Sequence, residues 1–296
     1  MQLTLDSKFA TYVPPKSQLL KWVGNKQKFA GQISKYFPAN YNTFYEPFLG
    51  SGAIMATLSP SSGVGSDIYK PLIEIWDTLK NDPNLLVVWY KERVERIGNE
   101  SKKEVYDSVL ETFNKNNNGA DFLFLTRTCY GGIVRFRKSD GYMSTPCGVH
   151  NPIPVETFRK RVKEWNHRMK NVNFVASDYK EIFSNAKEGD LIYCDPPYSH
   201  SQSILYGAHD FKLTDLLECI SEAKSKGIFV ALSIDGSKKS GDYLCDLPIP
   251  EGLFEQEILI SLGSSMLRRF QMEGQTLENE DVKDRGLIIT KGTVLS

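Results

Sequence analysis

The 296-residue sequence lacks the features that would mark a membrane, disulfide-stapled or metal-dependent protein. Its longest run free of polar residues is Leu85 to Tyr90, far short of the roughly 20 apolar residues that a bilayer-spanning helix requires. Met1 to Phe9 contains no basic segment leading into an apolar one, so the expectation is a cytoplasmic protein without a membrane partner. Five cysteines include no Cys-x-x-Cys pair, and four histidines show no ligand spacing, so neither a disulfide framework nor a metal site is expected. Net charge is also missing: 36 basic side chains balance 36 acidic ones. That balance hides segregation. Arg127, Arg135, Arg137 and Lys138 fall in a stretch with no acid, Glu156 to Lys170 is strongly basic, and the acids gather elsewhere, as between Glu273 and Asp284. Basic stretches either track phosphates or form a solvated helix face.

What is present reads as alternating strands and helices. Thr43 to Phe48, Val64 to Ile68, Val172 to Ala176, Leu191 to Cys194, Ile228 to Ile234, Phe254 to Ile260 and Leu287 to Thr290 have strand character. Helical runs at Phe29–Tyr36, Ala53–Leu58, Pro71–Leu79 and Lys212–Lys226 lie between them, which predicts an α/β fold around a largely parallel sheet. From Leu85 to about Met169 the pattern changes. Two amphipathic helices and a basic hairpin, turning at Ser139-Asp140-Gly141, interrupt the alternation. The boundaries expected are residues 1–80 and 171–296 for the α/β domain and 81–170 for a helical insert.

Two motifs carry chemistry. Phe48-Leu49-Gly50-Ser51-Gly52 turns a strand into a helix through two glycines, which lets backbone approach a ligand closely. It is neither Gly-x-Gly-x-x-Gly nor a P-loop. Asp67 ends the next strand, where an acid in an open α/β sheet commonly accepts ribose hydroxyls. Asp195-Pro196-Pro197-Tyr198 follows an apolar strand. The two prolines stop strand pairing and leave the Pro196 carbonyl free beside the Asp195 carboxylate. Two such acceptors suit both hydrogens of an –NH₂ group on a planar ring, and Tyr198 offers a face on which that ring can stack.

With Lys21-Trp22-Val23-Gly24-Asn25-Lys26, these motifs stand in an order that resembles the Dam-like, alpha-group DNA adenine-N(6) methyltransferases. The family pattern is Lys-Trp-x-Gly-x-Lys, Phe-x-Gly-x-Gly, an acid after the second strand, an insert, then Asp-Pro-Pro-Tyr. The resemblance spans about residues 18 to 290. It implies a Rossmann-like methyltransferase fold with a mixed, mostly parallel seven-stranded sheet and an inserted target-recognition domain carrying a hairpin. It implies S-adenosylmethionine as methyl donor and no metal. Trp22, Lys26, Phe48, Gly50, Gly52, Asp67, Asp178 and Asp195 match donor-site positions, and Asp195, Pro196, Pro197 and Tyr198 match the catalytic ones. The implied substrate is an adenine flipped from double-stranded DNA, contacted through Arg127, Tyr130, Arg135, Arg137 and Lys138. A cognate restriction endonuclease is an open partner, and a bacterial or phage-infected cell is the implied setting. Gly131 and the segment Tyr142 to Gly148 depart from the family pattern, so no target sequence is carried over. Two other readings keep the fold: a methyltransferase acting on cytosine, RNA or a protein glutamine, and a donor-binding regulator without activity.

Overall fold

The computed structural model describes residues 12–197, 211–234, 249–260 and 285–289. Tyr198 therefore lies outside the described residues. Seven strands, β1 (Phe44–Glu46), β2 (Gly63–Asp67), β3 (Val172–Ala176), β4 (Leu191–Cys194), β5 (Phe229–Ile234), β6 (Gln256–Ile260) and β7 (Arg285–Ile289), form one sheet in the order β3-β2-β1-β4-β5-β7-β6. The first five in that order are mutually parallel; β7 pairs antiparallel to β5, and β6 pairs antiparallel to β7 at the edge, so β7 alone among the seven runs in the opposite direction. The order reverses at β1 and β4, so their carboxyl ends frame the crevice in which ligands of open α/β sheets bind.

Alternation along the buried strands supplies two cores. In β4, Leu191 and Tyr193 join the larger core with Phe44, whereas Ile192 and Cys194 join the smaller one with Val230 and Leu232. Helices α1 (Ala30–Ile33), α2 (Ala53–Leu58) and α3 (Lys70–Asn81) contribute to the larger core. Between β2 and β3 the chain continues through α4 (Pro83–Arg96), α5 (Lys102–Asn116), α6 (Gly119–Thr128) and α7 (Val155–Met169). The smaller core is built on α8 (Tyr179–Asn185) and α9 (Leu213–Ser225).

The inserted helices do not enclose a core of their own: Tyr90, Phe113, Phe122 and Trp165 belong to the same cluster as Phe44 and Trp76. The apolar stretch after Asn118 is helix α6, capped by the Asn118 side chain, which accepts the Asp121 N–H at 2.8 Å. The expected hairpin is reduced. Phe136 and Met143 pair as an isolated bridge, as do Cys129 and Cys147, with no extended strand between them. Its turn forms as the Asp-Gly pair predicts, with Gly141 at φ 68°.

The basic run of α7 is divided: Arg159, Lys160, Lys163 and Lys170 are exposed, whereas Arg161 and Arg168 turn toward the preceding arm. Arg168 donates to the Val13 carbonyl, Trp165 to Ser17 and Arg161 to Gln18, each at 2.8 Å. Arg127 of α6 donates to the Leu19 carbonyl. These four donors hold an irregular arm, residues 12–20, whose own carbonyls would otherwise lack partners. The arm delivers the chain to Trp22 and Lys26. Trp165→Phe should keep the stack on Trp76, whose ring centroid lies 5.6 Å away, and lose only the indole donor. We expect urea unfolding to show a loss of about 1–2 kcal/mol and limited proteolysis to cut the arm sooner; unchanged stability and cleavage would remove this anchor.

Candidate active site

β1 ends because Pro47 has no N–H to donate, and the backbone then enters the glycine turn. Gly50 (φ 46°) is held on three sides. Its N–H donates to Asp67 Oδ2 at 3.2 Å, its carbonyl accepts Trp76 Nε1 at 3.1 Å, and a Cβ placed on it would lie 2.8 Å from Trp22 Nε1. Only glycine fits that cradle. Gly52 (φ 61°) serves a different purpose from the one expected. A Cβ on it would meet Met169 and Trp76, so it permits packing of the core beneath the turn and does not line the site.

Above the turn opens a cavity of about 400 Å³. Trp22, Lys26, Phe48, Gly50, Asp67, Asp178, Asp195, Pro196 and Pro197 all line it, although residues 22 and 195 are far apart in the chain. Lys26 makes an ion pair with Asp195, its ammonium donating to both carboxylate oxygens. The lysine side chain is 5% exposed and the aspartate 20%. Asp67 at the end of β2 accepts the Gly50 N–H and, through Oδ1, the Tyr69 N–H at 3.1 Å. Burial pushes its carboxyl up to about 6, against the pull of the N–H groups of Tyr69, Gly50 and Ile68. Asp178 caps α8, accepting the Lys180 N–H at 2.9 Å, while also lining the cavity.

Two features escaped the sequence reading. Phe211 packs edge-on to Phe48 (5.8 Å between centroids), and Tyr179 stacks on Phe48 at 5.3 Å, giving the cavity an aromatic wall. Phe211 carries no sequence signal, since it is one aromatic residue before a helix. Glu46 lines the cavity although it is 3% exposed. An acid inside the apolar run Phe44 to Phe48 was the available clue.

The residues expected to meet DNA lie apart from the cavity lining. Arg135, Arg137 and Lys138 are exposed, while Val134 and Phe136 between them are buried, so the two arginines share an outer face. Arg137 is braced by Asp140 (2.8 Å) and lies over the Tyr142 ring at 4.2 Å. Tyr130 is 45% exposed beside them in sequence. Arg127 is corrected: its guanidinium turns inward, donating to Leu19 and lying against the Tyr90 and Phe158 rings at 5.9 and 5.6 Å. A side chain so enclosed anchors the arm and is not part of the exposed basic face.

Aromatic wall, glycine cradle, acid at the end of β2 and Asp-Pro-Pro at the end of β4 sit at the switch point of a parallel sheet, as in a Rossmann-like methyltransferase fold. Residues 22–246 match the family model of the D12 class N6 adenine-specific DNA methyltransferases, and the chain belongs to that family. It is similar to a type II methyltransferase of Lactococcus lactis subsp. cremoris, 26% identical over 247 residues, covering 77% of this chain and 84% of that protein. A DNA adenine methylase of Vibrio cholerae serotype O1 is 27% identical over 227 residues, covering 72% and 79%. The retron Ec67 DNA adenine methylase of Escherichia coli is 30% identical over 190 residues, covering 62% and 64%. The chain is therefore an adenine-specific DNA methyltransferase.

The elevated Asp67 carboxyl has a measurable consequence. A carboxyl raised from 3.8 to about 6 on folding binds a proton more tightly in the native state. Its contribution to stability is greatest below the unfolded value and is lost as pH rises through about 6. The difference in unfolding free energy between wild type and Asp67→Asn should thus change by about 2.4 kcal/mol between pH 4 and pH 7.5, in the direction that costs the wild type stability as pH rises. Parallel pH profiles for the two proteins would show that Asp67 titrates normally.

Proposed function

We propose that the chain transfers a methyl group from S-adenosylmethionine to the exocyclic nitrogen of an adenine turned out of duplex DNA. The observation that carries this reading is the convergence of Asp195, Pro196 and the Gly50 turn on one cavity. The cavity suits the donor: its volume is in the range of small-ligand sites, Phe48, Tyr179 and Phe211 offer flat apolar area, and Asp67 offers an acceptor for a ribose diol. The donor brings its own electrophile, a sulfonium methyl, so the transfer calls for no metal.

In this reading Trp22 and Gly50 hold the wall, and Asp67 and Asp178 anchor the nucleoside end. The Asp195 carboxylate and the Pro196 carbonyl accept the two hydrogens of the target amine and orient its lone pair. Tyr198, next in the sequence, supplies the stacking face. The Asp195 carboxylate does not need to act as a strong base; positioning and hydrogen bonds that strengthen as charge develops lower the barrier. Lys26, bonded to both carboxylate oxygens, holds Asp195 in place until a substrate amine competes for it.

Residues 81–170 act as the target-recognition region. Arg135, Arg137 and Lys138 meet the DNA backbone or base edges, and Tyr130 lies beside them. The type II methyltransferases among its relatives raise a cognate restriction endonuclease as a partner, and the reaction belongs in the cytoplasm of a bacterial or phage-infected cell.

Asp195→Ala should lower methyl transfer to duplex DNA by at least about a hundredfold, with the fold intact by circular dichroism. Near wild-type transfer in that variant would sink the mechanism. Radiolabelled transfer to RNA or protein in place of DNA would reassign the acceptor. Arg135→Ala combined with Arg137→Ala should weaken DNA binding and reduce the slope of log affinity against log salt by about 1 to 2, leaving donor binding unchanged. An unchanged salt slope would remove these side chains from the interface.

A further inference from the structure

Glu46 has no part in the chemistry above. It ends β1 at the floor of the cavity, and one of its oxygens accepts the Met55 N–H at 2.9 Å in the first turn of α2. Lys26 of the arm and Asp195 after β4 are the charged groups that face it, and the Cys194 thiol is the remaining titratable neighbour. Two carboxyls therefore share one cation, and that cation is already engaged by both oxygens of Asp195. A single N–H does not balance the second carboxylate in a site buried to this degree. Burial, reinforced by the Asp195 charge, holds the Glu46 carboxyl well above the usual range, against the pull of the Met55 N–H and Lys26. With no cationic ligand in the cavity, Glu46 thus holds its proton more tightly than an exposed carboxyl does.

A ligand with excess positive charge changes that count. S-adenosylmethionine has a sulfonium and an ammonium against one carboxylate. We propose that Glu46 is the counter-charge of the donor site, neutral when the site is empty and ionised when the cationic donor enters, so that donor binding releases a proton. The O–H bond of the Glu46 carboxyl breaks, a buffer base takes the proton, and no other bond changes. This inference rests on the donor assigned above. It gives the site selectivity for the sulfonium form, because a ligand lacking that charge offers less reason for the buried carboxyl to ionise.

Titration calorimetry of the full chain with S-adenosylmethionine, without DNA, tests it. Run at about pH 7.5 in phosphate, HEPES and Tris, the slope of observed heat against buffer ionisation enthalpy gives the protons released. Wild type should release about one proton. Glu46→Gln keeps an oxygen for the Met55 N–H but has no proton to give. Its slope should fall to zero and its donor affinity by about tenfold. A wild-type slope of zero, or an unchanged slope in Glu46→Gln, overturns the proposal while leaving the donor assignment standing. If wild type binds no S-adenosylmethionine at all, the donor assignment fails and this inference fails with it. If Glu46→Gln does not fold, the wild-type series from about pH 6 to 9 decides. Donor affinity that rises with pH, with a slope of log affinity equal to the protons released, supports the proposal, and affinity that does not rise with pH overturns it.

Discussion

The ion pair between Lys26 and Asp195 ties together residues 169 positions apart, and the rest of the site depends on it. Asp195 lies at the mouth of the sheet because β4 is a buried parallel strand that two prolines terminate. Lys26 has no such support of its own. It reaches the aspartate because the irregular arm before it is pinned by donors on α6 and α7, elements of the insert. The insert is thus also the region that holds in place the arm bearing Lys26 at the cavity, and the shared core is the physical expression of that dependence.

A second contact tightens the link. Gly132, at the base of the reduced hairpin, sits so close to the arm that a Cβ on it would lie 3.0 Å from the Lys21 Cβ. The next residue, Trp22, packs edge-on to Phe122 of α6 (centroids 6.2 Å apart) and against Gly50. Charge is divided between the two regions. The cavity lining is acidic, with Glu46, Asp67, Asp178, Asp195 and Asp215 against Lys26 and Lys180, whereas the hairpin face bears Arg135, Arg137 and Lys138. Opposite charges are thus concentrated on different surfaces of one neutral molecule.

Much of this was legible in the order of residues. The strand edges of β3 and β4, the helix Ala53 to Leu58 and the Asp-Gly turn follow from local periodicity and turn chemistry, which act over a few residues. Phe48 to Gly52, Asp67 and Asp195 to Pro197 were recognisable because each motif holds its chemistry within a short segment. Long-range partnership left no such mark. The inward turn of Arg127, the packing of Gly52 on Met169 and Trp76, and the entry of Phe211 into the aromatic wall each depend on an element distant in the chain. So does the upward shift of the Glu46 carboxyl, since a carboxyl's proton affinity depends on its dielectric surroundings and neighbours, which a sequence does not specify. The sequence by itself determined the class of fold, the family and the acceptor motif. Only the tertiary structure decided which charged groups share the cavity and which basic side chains remain exposed, because burial and pairing between distant segments arise from packing.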